Sequence, residues 1–233
     1  LVTDEWNGLS VLQYAAGRTA ALDIGFVPNG QSSNEPGQFI YLLGADELNP
    51  ADIPQDAFVV YQGHHGDAGA HLADVVLPAA AYTEKTATYI NTEGRAQLTR
   101  QAVGVPGGAR EDWKIIRALS EVAGLTLPYD DVATLRARMA DVSPTLVNYD
   151  ELSRTDTRIA KLGLEQLRVN GGRKLDTRFI KVIENYYMTD AISRASRTMA
   201  RSAAVFGKNC DGKDSLTAAG NGSSSSGSAS ATA

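Results

Sequence analysis

Three short apolar runs with almost no polar alternation constrain this chain most. Phe39–Leu43 reads FIYLL and closes on Gly44, Ala57–Tyr61 reads AFVVY, and Asp74–Leu77 reads DVVL and closes on Pro78. Each is rich in β-branched or aromatic residues and bounded by Gly, Asp or Pro, the pattern of a buried strand. A sheet with one wet face would alternate apolar and polar side chains; continuous runs imply strands covered on both faces, as in the parallel sheets of α/β proteins. Between the first two runs, Gly44–Asp56 supplies the dozen or so residues that a parallel crossover needs. Gly63–Ala73 is shorter and predicts a compact turn in place of a full helix. Ligands of such sheets bind beyond the carboxyl ends of the strands. Gly44–Glu47, Gly63–His71 and Pro78–Glu84 are therefore the candidate site loops.

The turn Gly63–Gly69, GHHGDAG, holds two of the three histidines. It is neither a dinucleotide fingerprint, since His65 stands where the second glycine belongs, nor a P-loop, which needs Gly-Lys-Ser/Thr. His64, His65, Asp67, His71 and Asp74 offer nitrogen and oxygen donors for a metal. Adjacent histidines on an extended loop are expected to point apart, however, and no HExxH spacing supports them, so hydrogen-bonded imidazoles on a glycine-rich turn are expected and no metal site is assigned. No GxSxG elbow follows a strand, and the single Cys210 lies in a Gly/Ser/Ala-rich tail. No catalytic residue is assigned.

Helices follow from the three- to four-residue spacing of apolar side chains. Leu1–Leu22 is expected to be one, with Trp6, Leu9, Leu12, Ala16 and Ala20 on a stripe. Glu111 and Asp112 open another through Ala123, with Trp113, Ile116, Leu119 and Val122 or Ala123 inward and Gly124 past its end. A third runs from Asp131 to about Asp141, stopped by Ser143-Pro144. Leu152–Leu167 is only weakly periodic. A last helix from Ala191 to about Phe206, capped by Thr189 or Asp190, would bury Ile192, Ala195, Met199, Ala203 and Phe206. It would also align Arg194, Arg197 and Arg201 in one sector, either as a solvated face or as a docking strip for an acidic partner. Pro28–Gly37 reads as a loop, and 208–233 as a disordered tail.

Charge divides the chain. Residues 1–150 carry 9 Lys and Arg against 19 Asp and Glu, whereas 151–208 carry 12 against 6. The sequence accordingly divides into an α/β portion at 1–150, a basic and mostly helical docking extension at 151–207, and the tail at 208–233. A basic segment can serve nucleic acid, but no RNP aromatics, zinc pattern or helix-turn-helix accompany it, so no nucleic-acid partner is expected. No apolar run approaches the roughly 18 residues of a membrane span, and any membrane link would be peripheral.

Glu84–Gln97, EKTATYINTEGRAQ, is the most specific stretch. Together with DVVLP upstream it resembles the strand-plus-loop signature of molybdopterin-type oxidoreductase domains. The longer string YQGHHGDAGAHLADVVLPAAAYTEKTATYINTEGRAQLT, followed by AREDWKIIRALSEVAGLTLPYD, VSPTLVNYD and YYMTDAISRASRTMA, resembles the C-terminal part of the large iron-sulfur subunit of respiratory complex I, NADH:ubiquinone oxidoreductase.

That resemblance implies part of a molybdopterin-oxidoreductase-like α/β domain, with a mostly parallel sheet flanked by helices and a helical C-terminal region. Clusters need sets of cysteines, which one Cys210 cannot supply. Iron-sulfur clusters are therefore expected in a partner chain carrying the N-terminal part of the subunit, and no cofactor in this one. The implied role is a structural subunit or split-subunit fragment of the peripheral arm, beside other complex I subunits. The implied location is the matrix side of the inner mitochondrial membrane, or the cytoplasmic face in a bacterium. Asp74, Asn91, Glu93 and Arg95 would then be structural hydrogen-bonders. The alternative is half of a molybdopterin-dependent oxidoreductase in which those four contact the pterin. As half of one domain, the chain alone should leave an unpaired sheet edge or an exposed apolar face.

Overall fold

A computed structural model describes residues 11–13, 15–27, 38–153, 157–169, 183 and 185–206. The chain divides into two compact units, residues 1–177 and 178–233. In chain order the first contains α1 (Arg18–Asp23), β1 (Phe39–Leu43), β2 (Phe58–Gly63), α2 (Ala68–His71), β3 (Val75–Pro78), β4 (Thr88–Ile90), β5 (Ala96–Leu98), α3 (Asp112–Val122), α4 (Val132–Val142) and α5 (Thr157–Val169). The second contains α6 (Ala191–Ala195) and α7 (Arg197–Phe206).

The three apolar runs form a parallel sheet in the order β1-β2-β3, as the α/β reading requires. Ile40 pairs with Val59 and Leu42 with Tyr61, which puts these four side chains on one face. There Leu42, Val59 and Tyr61 form a core on which Leu48 and Ile53 of the first connection and Ala70 and Ala73 of the second pack. The first connection holds one 3-10 turn, Pro50–Asp52, capped by Asn49. The second holds the single turn of α2, in keeping with a compact crossover. Asp74 precedes β3 and clamps it to the centre of the sheet: its N–H donates to the Val59 carbonyl and its carboxylate accepts from the Val59 N–H, both at 2.8 Å.

One buried carboxylate ties both connections to β2. The Tyr61 hydroxyl donates to Asp46 Oδ2 at 2.9 Å, and the Gly69 N–H donates to Asp46 Oδ1 at 3.1 Å. Burial, and then the Asp46 carboxylate, hold the Tyr61 phenol well above the ordinary tyrosine range. A Cβ on Gly69 would lie 2.4 Å from the Ala45 carbonyl oxygen. Only glycine permits that approach.

A second core forms around the antiparallel hairpin β4–β5. Ile90, Ala96 and Leu146 are buried together, with Ala20 of α1, Met139 of α4 and Tyr149 packed against them. The 3-10 turn Pro144–Val147 delivers Leu146 to this cluster. Asp131 caps α4 by accepting from Thr134 N at 2.7 Å. Among the described residues no helix is long and apolar enough to cross a membrane.

Several helices depart from the sequence pattern. The expected helix Leu1–Leu22 falls partly on residues outside those described; within them, Val11–Gln13 are not helical and helix begins only at Arg18. Of the described stripe residues Leu12 and Ala16 are exposed and only Ala20 meets the core, and a short stretch without packing does not hold a helix in water. Helix α3 matches its expected span, yet Leu119 is exposed and Val122 is 87% exposed, so only the first half of its stripe meets protein. The weakly periodic segment after Leu152 folds as the 13-residue α5. Pro28–Gly37, the tail from Lys208 and Cys210 lie outside the described residues.

In the second unit the single expected helix is broken. Asp190 caps α6 by accepting from Ile192 N at 2.8 Å and Ser193 N at 3.0 Å. Ser196 is extended, with φ −84° and ψ 121°, and its hydroxyl accepts from Met199 N at 3.3 Å. A serine that satisfies the next helix's first amides ends one helix and starts another. The break removes the continuous 100° advance that aligned Arg194 with Arg197 and Arg201. Ala195, Met199 and Phe206, assigned to the buried face, are exposed, although the Tyr187 and Phe206 rings lie 6.3 Å apart.

Candidate functional site at the carboxyl ends of the strands

β1 and β2 end at Leu43-Gly44 and Gln62-Gly63, and a cleft of about 500 Å³ opens there. Its walls are Lys85–Tyr89, the start of α3 and one side of α4, with Trp113, Leu135 and Met139 supplying apolar surface. Gly44 has φ +58°, which lets the chain turn sharply off β1. A smaller cavity of about 440 Å³ lies beside the cleft, lined by His64, His65, Pro78, Ala79 and Glu84 among others. The three expected site loops thus do border cavities, and His64 belongs to both.

The polar floor is a chain of hydrogen bonds. Gln62 is the one polar side chain facing inward from an otherwise apolar strand, and it is fully buried. Its Oε1 accepts from the Tyr41 hydroxyl, and its Nε2 donates to Asp112 Oδ1 at 2.9 Å. Lys85 Nζ makes an ion pair with Asp112 Oδ2. Burial, reinforced by the negative charge of Asp112, raises the Tyr41 phenol above its ordinary range. Asp112 begins α3, so sheet, helix and the Lys85 segment meet at one carboxylate. Sequence reasoning does not single out Gln62, Lys85 or Asp112; the polar break in FVVYQG is the available signal for Gln62.

The histidines converge, contrary to the expectation that they point apart. His64 Nδ1 and His65 Nδ1 are 2.8 Å apart, with the rings edge to face. One nitrogen donates and the other accepts, so the two rings hold opposite tautomers. The His64 imidazole is lowered below its ordinary value, chiefly by desolvation and then by His65 and Lys85. His71 Nδ1 pairs with the Asp67 carbonyl at 2.9 Å, and Asp74 is engaged with Val59. The five candidate metal donors therefore do not converge, and among the described residues no set of three or more His, Cys, Asp or Glu side chains is placed to hold an ion.

The Asn-Glu-Arg stretch closes on itself. Asn91 Oδ1 accepts from Glu93 N at 3.2 Å and Arg95 N at 3.0 Å, while Asn91 Nδ2 donates to Glu93 Oε1 at 3.2 Å. Arg95 Nε donates to Glu93 Oε1 at 2.8 Å, and Arg95 Nη1 to the Asp150 carbonyl. Hydrogen bonds from Arg95 and then Asn91 lower the Glu93 carboxyl. Gly94, at φ +86°, completes the turn between β4 and β5. In return the Asp150 N–H donates to Ala96 O at 2.8 Å, stitching the hairpin to the segment after the Leu146 turn. Asp74, Asn91, Glu93 and Arg95 are thus all bonded to their own chain.

A molybdopterin-type signature raises the question of whether these residues fit a pterin dinucleotide. A pyrophosphate cradle needs open glycines and unopposed positive charge. Here a Cβ on Gly63 would meet the Tyr61 ring within 2.6 Å and one on Gly69 the Ala45 carbonyl oxygen, so both glycines admit protein atoms. Lys85 is neutralised by Asp112. Gly63 and Gly69 thus give no such opening, whereas Gly44 at the end of β1 is open and Arg136 lines the cleft; no chemistry is derived through the cofactor.

A parallel sheet with this signature hairpin defines a class. The molybdopterin oxidoreductase family model matches residues 1–122, more than half of the chain, and the chain belongs to that family. A second model, for the C-terminal region of one NADH-ubiquinone oxidoreductase subunit, matches residues 156–202.

Homologous proteins narrow the relationship to the large iron-sulfur subunit of complex I. The NADH-ubiquinone oxidoreductase 78 kDa subunit of Neurospora crassa is 55% identical across 88% of this chain and 28% of its own length. The corresponding Candida albicans protein is 52% identical across 87% and 28%. NADH dehydrogenase (ubiquinone) iron-sulfur protein 1 of Solanum tuberosum is 49% identical across 89% and 28%. All three are mitochondrial by name. The chain spans just over a quarter of the length of these relatives.

Proposed function

We propose that the chain is a structural part of the complex I peripheral arm, supporting NADH-to-ubiquinone electron transfer without holding a cluster or performing chemistry. The observation that carries this is the fate of the signature residues. Asp74, Asn91, Glu93 and Arg95 close a strand entry and a hairpin, so the family signature serves as architecture in this chain. Function belongs to sites and not to folds. The cleft supports the same reading, since its polar floor is internally paired.

In this proposal the partner is the cluster-bearing portion of the same subunit, joined either through the chain or as a separate polypeptide. Other peripheral-arm subunits adjoin it on the matrix side of the inner membrane. Residues 1–150 form the α/β portion, 151–207 the basic docking extension and 208–233 a tail.

Mild-detergent solubilisation of source membranes, native electrophoresis and detection of the chain beside an in-gel NADH dehydrogenase stain test the proposal. Co-migration with the active band is expected. Migration as a small species carrying stoichiometric molybdenum would overturn it in favour of a pterin-dependent oxidoreductase.

A further inference from the structure

The floor of the large cleft is internally paired, but its α4 wall is not. Val132, Leu135, Arg136 and Met139 all line the cleft, at the spacing that places them on one face of the helix. An arginine of such a helix is expected on the outer side, where Arg138 sits and pairs with Asp141 at 3.9 Å. Arg136 instead shares the inward face with three apolar side chains and is half-buried.

The other ionised side chains of the lining have their counter-charges. Lys85 is held by Asp112. Glu111 is held by Lys114 at 2.7 Å, and its second oxygen accepts from the Trp113 indole at 3.3 Å. The His64 imidazole, lowered chiefly by desolvation, is neutral near pH 7 and adds no charge. Arg136 has no hydrogen-bond or ion-pair partner among the described residues. A guanidinium drawn partly out of water costs free energy unless an acceptor meets it, so the cleft is suited to an anion. The planar fork of the guanidinium matches a carboxylate through two parallel hydrogen bonds. One unopposed cation balances one carboxylate, whereas a pyrophosphate would bring more charge than the cleft offsets.

The body of the ligand follows from the other walls. Trp113 and Met139 are the lining side chains that favour an aromatic ring, through edge-to-face packing and through sulfur contact. Leu135 adds aliphatic surface. Gly44, where a Cβ would meet nothing within 4 Å, leaves the end of β1 open. A volume of about 500 Å³ suits a small organic molecule.

We propose that this cleft binds a small aromatic monocarboxylate, its carboxylate on Arg136 and its ring against Trp113 and Met139. The site goes beyond the structural role proposed above and stands whether or not the chain also braces the peripheral arm.

The test is photolabelling of the intact source complex with para-benzoylbenzoate, an aromatic monocarboxylate that inserts into nearby C–H bonds on irradiation. Adducts are expected on the cleft wall at Leu135 or Met139, and excess naphthoate should suppress them. The methyl ester of the probe, which lacks the charge, should label at least about ten-fold less. R136M should lower labelling by the same factor, while R138M, on the outer side of the helix, leaves it at the wild-type level.

Equal labelling by acid and ester overturns the assignment, as does wild-type labelling of R136M or the absence of an adduct in the cleft. Suppression by inorganic pyrophosphate as complete as that by naphthoate also overturns it, in favour of a polyanion. Where R136M does not assemble, the comparison of acid and ester in the wild-type complex decides alone. If the chain runs outside the NADH dehydrogenase band, the structural role fails and the same labelling is read on the species that carries the chain.

Discussion

The side-chain amide of Gln62, fully buried in β2, donates to Asp112 Oδ1 at 2.9 Å in the first turn of α3. This contact joins the sheet to the helix that follows the signature hairpin. Truncating the acceptor in D112A leaves the buried amide only the longer bond to the Asp112 carbonyl, 3.4 Å, and releases Lys85, at a cost of about 1–3 kcal/mol. D112N keeps an acceptor for Gln62 and should lose distinctly less. Denaturant midpoints of the two variants in the same preparation as the wild type compare them; equal losses would mean that Gln62 does not depend on this oxygen.

Gly69 is where close packing leaves least room. A Cβ there would sit 2.4 Å from the Ala45 carbonyl oxygen and 2.8 Å from the Tyr61 ring. G69A should destabilise the unit by about 1–3 kcal/mol through overpacking, and Y61F by about 1–3 kcal/mol through the lost bond to buried Asp46. A thermal scan showing G69A at or above the wild-type midpoint would contradict the geometry.

The hairpin should fail through Asn91. Its Oδ1 accepts two backbone amides, from Glu93 and Arg95, and N91A removes both, costing about 1–2 kcal/mol. Hydrogen exchange should then quicken at β4, β5 and Asp150, because Arg95 carries the link to the Asp150 carbonyl. Faster exchange spread evenly over the chain would argue against a local clasp.

The His64 imidazole supplies a pH dependence with a definite sign. Its folded pKa lies below the ordinary value of 6.5, by burial and by the nearby His65 and Lys85. The unfolded chain therefore binds more protons as pH falls past 6.5. The stabilising contribution is present above 6.5 and is lost as pH falls through the lowered folded value. Unfolding followed from pH 7.5 to 5.5 should show declining stability, and H64Q should flatten the slope. His64 remains partly exposed, which keeps the effect small; an unchanged slope in H64Q would assign the decline to other groups.

Taken alone, the chain should aggregate or show a loosely packed core, because Phe39 and Phe58 stack at 6.2 Å and are 59% and 48% exposed. A sharp, cooperative melt of the isolated chain at low concentration would refute this.

The parallel sheet was legible in FIYLL, FVVY and DVVL because burial on both faces leaves a local mark, an unbroken apolar run. The cleft position followed from the same reading, since strand ends are marked by Gly44 and Gly63. The family was legible in the Asn91–Arg95 hairpin and its flanks. The partners of Gln62 were not: Asp112 lies 50 residues downstream, and nothing local selects one carboxylate from the many that an acidic segment offers. Nor could periodicity show that α3 lacks cover at Leu119 and Val122, since a stripe records a preference for burial and not the presence of a partner.

Residue type and spacing alone thus determined the parallel strands, the spans of α3 and α4 and the signature turn, because those depend on neighbours within a few residues. Tertiary structure decided which glycines admit Tyr61, that His64 and His65 converge, that Asp74 and Arg95 bond their own backbone, and that Phe39 and Phe58 stay exposed. The bonds of Asp74 to Val59 and of Arg95 to Asp150 join atoms from distant parts of the chain, and hydrogen bonding and close packing act only at about 3 Å.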